Sequence, residues 1–147
     1  MNPINDQYVV FAINDKYFAI SIQDVFEITR MRTVKWVPNS KDEFLGVIHF
    51  REKVIPIVSL HRMFLEKENE LVSTTRIIVL NNNIKESGFV VDDVDQVKFL
   101  PEEYIAPAPH SSQSEWIKGV YHHDDQTITI LDLETLLSDV DVKKVLE

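Results

Sequence analysis

Residues 46–65 read GVIHFREKVIPIVSLHRMFL, and residues 119–138 read GVYHHDDQTITILDLETLLS. The two stretches align without a gap at an offset of 73 residues, with Gly46/Gly119, Val47/Val120, His49/His122, Ile55/Ile128, Ile57/Ile130 and Leu60/Leu133 identical. Each holds two β-branched runs around a turn and then a short apolar segment, the pattern of a hairpin followed by a helix. Ser59 and Asp132 fall opposite each other just before those segments. Either side chain can accept a hydrogen bond from the free N–H groups at a helix start. A repeat of this kind reads as a duplication of one supersecondary unit.

A second match lies upstream at an offset of 69 residues, where Phe18–Val25 sits opposite Ser87–Val94. The same order then appears twice: strand, turn, strand, Asp-Val turn, strand, Gly-Val hairpin, short capped helix. The strands expected are Tyr8–Ile13, Lys16–Ser21, Glu27–Arg30, Val47–Phe50, Lys53–Val58, Thr75–Leu80, Ser87–Val91, Gln96–Phe99, Val120–His122 and Thr127–Leu131. Asn14-Asp15, Pro38-Asn39-Ser40, Asn81-Asn82-Asn83 and Asp124-Asp125 supply turns between them. Strands at this spacing predict barrels or a sandwich. Helices are expected only at Ser59–Phe64, Asp132–Ser138 and Val140–Leu146. A half of about 60 residues is marginal alone, so two halves gain by burying apolar surface against each other. The division predicted is a lobe over residues 14–70 and another over 72–140, with strand 7–13 able to pair with either. The cleft between lobes is the natural place for a partner.

Composition narrows the function. The net charge is −9, whereas nucleic acids and anionic membranes recruit basic faces. There is no cysteine, hence no disulfide, thiolate metal site or cysteine nucleophile, which suits a reducing cytoplasm. The N-terminal residues lack the basic start and apolar stretch of a signal peptide. Apolar runs stay strand-sized, against the roughly 20 residues that span a bilayer, so membrane association is expected only through a partner.

The search for reaction chemistry yields little. His122 and His123 are adjacent in an expected strand and point to opposite faces, so they cannot easily share an ion, and Asp124-Asp125 reads as the hairpin turn. His49 and His61 have no evident carboxylate partner and read as surface or half-buried side chains. Asp92-Asp93 and Glu102-Glu103 read as solvated turn charges. The three glycines, Gly46, Gly88 and Gly119, form no phosphate-cradling loop. Ser111-Ser112 lies in a Pro-rich loop without a nucleophile elbow. The expectation is a protein without catalytic residues, metal or cofactor.

Over residues 7–138 the chain resembles the CheW coupling proteins of chemosensory systems. The stretches that carry the resemblance run in order: Gln7–Phe11, Ile20–Ile28, Val37-Pro38-Asn39, Gly46–Arg51, Val54–Ile57, Thr75–Leu80, Gly88–Asp92, and Gly119-Val120 through Ile130–Leu137. The resemblance implies an all-β fold of two pseudo-symmetric five-stranded SH3-like β-barrels sharing a core, with short helices including one near the C-terminus. It implies no enzymatic activity. It also implies an adaptor that couples methyl-accepting chemoreceptors to the histidine kinase CheA in the cytoplasm, recruited to membrane-associated receptor arrays, with adaptor–adaptor ring contacts. Rival readings are an adaptor of a related, non-flagellar chemosensory pathway and a small-molecule-binding β-barrel protein.

By motif position, Val25, Glu27, Ile28, Gly46, Ile48 and Arg51, with Val97, match family residues implicated in receptor contact. Val25, Ile28 and Ile48 are assigned apolar contact, Glu27 and Arg51 polar register, and Gly46 close backbone approach. Each apolar residue can equally be core, and Glu27 can pair locally with Arg30 or Arg32. Ile105, Ala106 and Ser111, in a loop stiffened by two prolines, match part of the family's kinase-binding surface. The chain departs from the family pattern at His49, Phe50 and Glu52, the last replacing a hairpin glycine. A residue with a Cβ in the left-handed region costs about 1 kcal/mol or more, so this hairpin is expected to turn differently.

Overall fold

The computed structural model describes residues 6–35, 43–65, 71–81, 86–108 and 115–138. Among these residues, eleven strands and two short helices follow in chain order. They are β1 (Gln7–Ile13), β2 (Lys16–Ser21), β3 (Val25–Arg30), β4 (Phe44–Phe50), β5 (Lys53–Ser59), α1 (Leu60–Leu65), β6 (Arg76–Leu80) and β7 (Gly88–Val91). Then come β8 (Asp93–Phe99), β9 (Ile105–Pro107), β10 (Ile117–His123), β11 (Gln126–Leu131) and α2 (Leu133–Ser138). The strand at Ile105–Pro107 was read from sequence as loop; it pairs on one side only, with β10, where a proline is tolerated. The expected helix Val140–Leu146 and the turn Pro38-Asn39-Ser40 lie outside the described residues.

The strands form two SH3-like barrels, ordered β3-β6-β7-β5-β4 and β8-β1-β2-β11-β10-β9. The halves of the duplication are interlocked. The β1–β2 hairpin belongs to the first sequence half but completes the second barrel, and the β6–β7 hairpin of the second half completes the first. Register follows the repeat: Ile57 faces Gly88 as Ile130 faces Ala19, and Val25 faces Leu80 as Val94 faces Phe11. This corrects the division at 14–70 and 72–140, because neither barrel is a continuous segment. A contiguous half would leave β3 and β5 with unpaired edges, and the exchanged hairpin covers both.

The exchange explains the unbroken apolar runs in the central strands, which are buried on both faces. Val9, Phe11, Ile78, Leu80, Phe89 and Val91 point into a core shared by the barrels. Their alternate neighbours Ile77, Val79 and Val90 fill the first barrel, while Val10 and Ala19 fill the second. Both helices seat on the shared core through Leu60, Leu133, Leu136 and Leu137. Their caps match as the repeat predicts: Ser59 Oγ accepts from the Arg62 N–H at 3.2 Å, and Asp132 Oδ1 accepts from the Thr135 N–H at 3.2 Å.

Three hairpins turn alike. Asn14/Asp15, Arg51/Glu52 and Asp124/Asp125 each place two consecutive residues in the left-handed region, the two-residue turn whose twist matches that of the strands it joins. The expectation that Glu52 would change the turn is therefore corrected: it takes the glycine-like conformation at φ 67°. Restoring the glycine should remove this strain. Glu52→Gly is expected to raise stability by about 1 kcal/mol, read as a higher urea midpoint with unchanged slope.

Candidate functional site

The candidate site forms where β3 meets the β4–β5 hairpin. The side chains of β3 alternate between part-buried and exposed, with Phe26, Ile28 and Arg30 outward. Val25 packs against the shared core and Thr29 is half-buried. Phe26 (54% exposed) meets the buried Phe50 edge to face at 6.2 Å. Arg51, held at the hairpin tip, lays its guanidinium 5.7 Å from the Phe26 ring centre and 5.4 Å from that of Phe50. It also donates to Glu27 Oε1, so Glu27 pairs across the sheet and not with the nearby Arg30 or Arg32. Arg32 instead lies over Phe50 at 5.1 Å.

The Arg51 side chain is 64% exposed, so the ion pair contributes at most about 1 kcal/mol. Its chief effect is positional: it holds the cation against the faces of two aromatic rings. Beside it, Phe26, Phe50, Ile55, Val79 and Leu80 line a cavity of about 110 Å³ flanked by the Lys53–Glu86 ion pair.

Other predicted residues scatter. Ile28 is 37% exposed and Val97, its counterpart at the 69-residue offset on β8, is 48% exposed. Ile48 is fully buried inside the first barrel, which corrects its assignment to partner contact: the parity of β4 turns it inward. Gly46 does allow close backbone approach, but by this chain's own Lys35, which pairs with Val47 at 2.7 and 2.8 Å. Ile105 packs on the core of the second barrel, Ala106 is exposed on the edge strand β9, and Ser111 lies outside the described residues. Sequence reasoning missed Phe26 and Phe99, both over half exposed. The signal available was an aromatic side chain on the outward parity of an edge strand.

His61 was read as a surface or half-buried side chain and Asp92 as a solvated turn charge, and both readings are corrected. His61 is 6% exposed, and its Nε2 bonds Asp92 Oδ1 at 2.7 Å. The partners are 31 residues apart, which hides the pair from local reading. At the opposite hairpin, His122 Nδ1 bonds Thr127 Oγ1 at 2.8 Å, while His123 stacks on Tyr104 at 3.9 Å. The two rings thus serve different faces, as strand parity requires. Among the described residues no three His, Asp or Glu side chains are grouped to hold a metal ion, and no helix is long and apolar enough to cross a membrane.

A polar cavity of about 440 Å³ opens on the second barrel between Tyr8, Asp24, Lys118, Asp132 and Glu134. Burial raises the Asp24 carboxyl above its usual range, with Glu134 adding to the rise and Lys118 opposing it. Burial likewise raises the Tyr8 hydroxyl, reinforced by Asp6 and Glu102. A carboxyl raised on folding favours its protonated form in the native state. Its contribution is therefore present below the unfolded value and lost as pH rises through the folded one. Asp24→Asn is expected to stabilise the protein at neutral pH and to lose that advantage near pH 3, below the ordinary aspartate value of about 3.9. Urea unfolding at the two pH values checks this.

Two interlocked SH3-like barrels with an exposed aromatic and charged patch define a two-barrel β-protein. The same architecture occurs in the crystal structure of the scaffolding protein TtCheW from Thermoanaerobacter tengcongensis, with a TM-score of 0.82 and 26% identity over 90% of this chain and 92% of that one. The family model described as CheW-like domain matches residues 7–141, and the chain belongs to that family. Chemotaxis protein CheW of Klebsiella aerogenes is 29% identical over 138 residues, covering 92% of this chain and 83% of that protein. Chemotaxis protein CheW of Bacillus subtilis is 28% identical over 135 residues, covering 90% and 86%.

Proposed function

We propose that this protein is a chemotaxis adaptor that couples methyl-accepting receptors to the regulatory domain of the histidine kinase CheA, acting in the cytoplasm at receptor arrays. The observation that carries the reading is the Arg51 guanidinium, tied to Glu27 and set over Phe26 and Phe50 on an exposed face. A receptor's cytoplasmic tip is an amphipathic helical hairpin, which needs an apolar surface with charges fixing register. Phe26 and Ile28 supply exposed apolar area, with Val97 a separate exposed apolar side chain on the second barrel; Glu27 and Arg51 supply the charges. Val25 backs the patch from the core side, and Gly46 and Ile48 hold the hairpin that carries Arg51.

Kinase contact is assigned to the edge strand β9 around Ile105 and Ala106, whose outer backbone groups have no strand beside them within its sheet. Charge suits contacts between adaptor copies as well: the second barrel carries Asp93, Asp95, Glu102, Asp124 and Asp132, the first Arg30, Arg32, Arg51 and Arg76. Such a distribution favours head-to-tail contact, weakened by salt.

Arg51→Ala should lower receptor affinity about tenfold, or roughly 1.4 kcal/mol, by removing the cation presented to the partner, with kinase-domain binding unchanged and stability lowered by no more than the about 1 kcal/mol of an exposed ion pair. Pull-down and calorimetry against a receptor tip and a CheA regulatory domain test the reading. No binding of the wild-type chain to either at tens of micromolar would count decisively against it.

A further inference from the structure

Strands β3 and β8 are equivalent in the duplication at the 69-residue offset, and each lies at the end of its sheet with a single neighbour, β6 and β1 respectively. They match even in a bulge, at Phe26 in β3 and at the equivalent Asp95 in β8. Their exposed side chains differ. Along β3 and just past it run Phe26, Ile28, Arg30 and Arg32, two apolar and then two cationic. Along β8 run Asp93, Asp95, Val97 and Phe99, two anionic and then two apolar. Laid antiparallel, the two sets agree pair by pair: Phe26 meets Phe99, Ile28 meets Val97, Arg30 meets Asp95 and Arg32 meets Asp93. Alternate residues stand about 6–7 Å apart on any strand, so one setting serves all four pairs. A parallel setting would put every charge against an apolar side chain.

The charges involved are short of partners within the chain. Arg30 faces Arg76 across β3 and β6, and the Arg76 guanidinium bonds the Ser73 and Thr75 carbonyls. Among the described residues Arg30 and Asp93 form no ion pair, and Asp95 has only Lys98 at 3.8 Å.

We propose that a second copy of this chain docks by its β8 on the β3 of the first, and that this contact covers the face assigned above to the receptor. The effect on receptor docking rests on that assignment; the pairing of copies does not. Bulges hinder edge-to-edge backbone pairing, so the contact is one of side chains, with Phe26 and Ile28 covered and the charges fixing direction. Because β3 meets β8 and not itself, association is head to tail and runs past the dimer unless the geometry closes. The net charge of −9 repels copies at long range, and the cationic end of β3 is the local exception that admits an acidic strand.

Sedimentation of the full chain from about 10 µM to about 1 mM reads the association. The wild-type chain should gain mass with concentration. Arg30→Glu and Asp95→Arg each set like charges together and should weaken association at least about tenfold. Mixing the two variants should restore it, because the intact β3 of one meets the intact β8 of the other. A receptor tip added to the wild-type chain should release copies in step with its own binding. A chain that stays monomeric to about 1 mM, single variants that associate like wild type, or a mixture that stays apart overturns the pairing. A tip that binds without releasing copies overturns the shared face. A tip that binds no form of the chain defeats the adaptor reading and with it the shared face, while sedimentation decides the pairing on its own.

Discussion

Gly46→Ala is expected to destabilise the protein by about 3–5 kcal/mol, from positive-φ strain, the steric clash and the hydrogen bonds at risk. This is a large share of the roughly 5–15 kcal/mol by which domains of this size are stable. Gly46 sits at φ 140°, and a Cβ there would fall 2.1 Å from the Lys35 carbonyl oxygen. That oxygen cannot retreat without breaking the paired Lys35–Val47 hydrogen bonds that close the first barrel. The matching Gly119→Ala is the control. Its Cβ would meet the Ile105 Cγ2 at 2.7 Å and Ala106 O at 2.9 Å, and Gly119 is not among the positive-φ glycines. Its backbone contact is 0.8 Å longer than that at Gly46 and no positive φ adds strain, so a smaller loss is expected there. Denaturant unfolding of both variants measures the difference, and a loss below about 1 kcal/mol for Gly46→Ala would contradict the geometry. The same substitution should weaken the proposed receptor docking indirectly, because Gly46 lies in the strand that leads into the Arg51 hairpin.

Phe89→Ala is expected to cost about 3–5 kcal/mol, the range for emptying a large buried aromatic site. Phe89 has no exposed surface and lies in the core shared by the barrels, so its loss should weaken both together. Amide exchange in β4–β5 of the first barrel and β10–β11 of the second should rise by the same factor, with a single unfolding transition. Exchange confined to the first barrel would mean that the barrels are separately stable, contrary to the interlock. The hairpin exchange supplies the reason for cooperativity. Each barrel is missing two central strands until the other half of the chain delivers them, so neither half can be completed alone.

Much of this could be read without coordinates. The 73-residue and 69-residue offsets carry the duplication, and strand positions follow from β-branched runs bounded by turn residues. Local chemistry decides such features, because side-chain parity, turn preference and helix capping depend on residues a few positions apart. The caps at Ser59 and Asp132 were legible for the same reason, as was the hairpin at Asp124-Asp125.

What the amino-acid order could not decide was pairing over distance. Contiguous and exchanged halves satisfy the same local pattern, and only tertiary structure shows that β2 runs beside β11 and β5 beside β7. Ile48 and Ile28 look alike as apolar residues in short strands, yet one is enclosed by a barrel and the other faces solvent. Glu27 found Arg51 24 residues away and His61 found Asp92 31 away, separations at which sequence spacing carries no geometric information. Local residue patterns specify a doubled set of β-strands with capped helices. Folding determined which half completes which barrel, and hence which side chains remain outside to meet a partner, since burial is a property of the assembled sheets and not of any one strand.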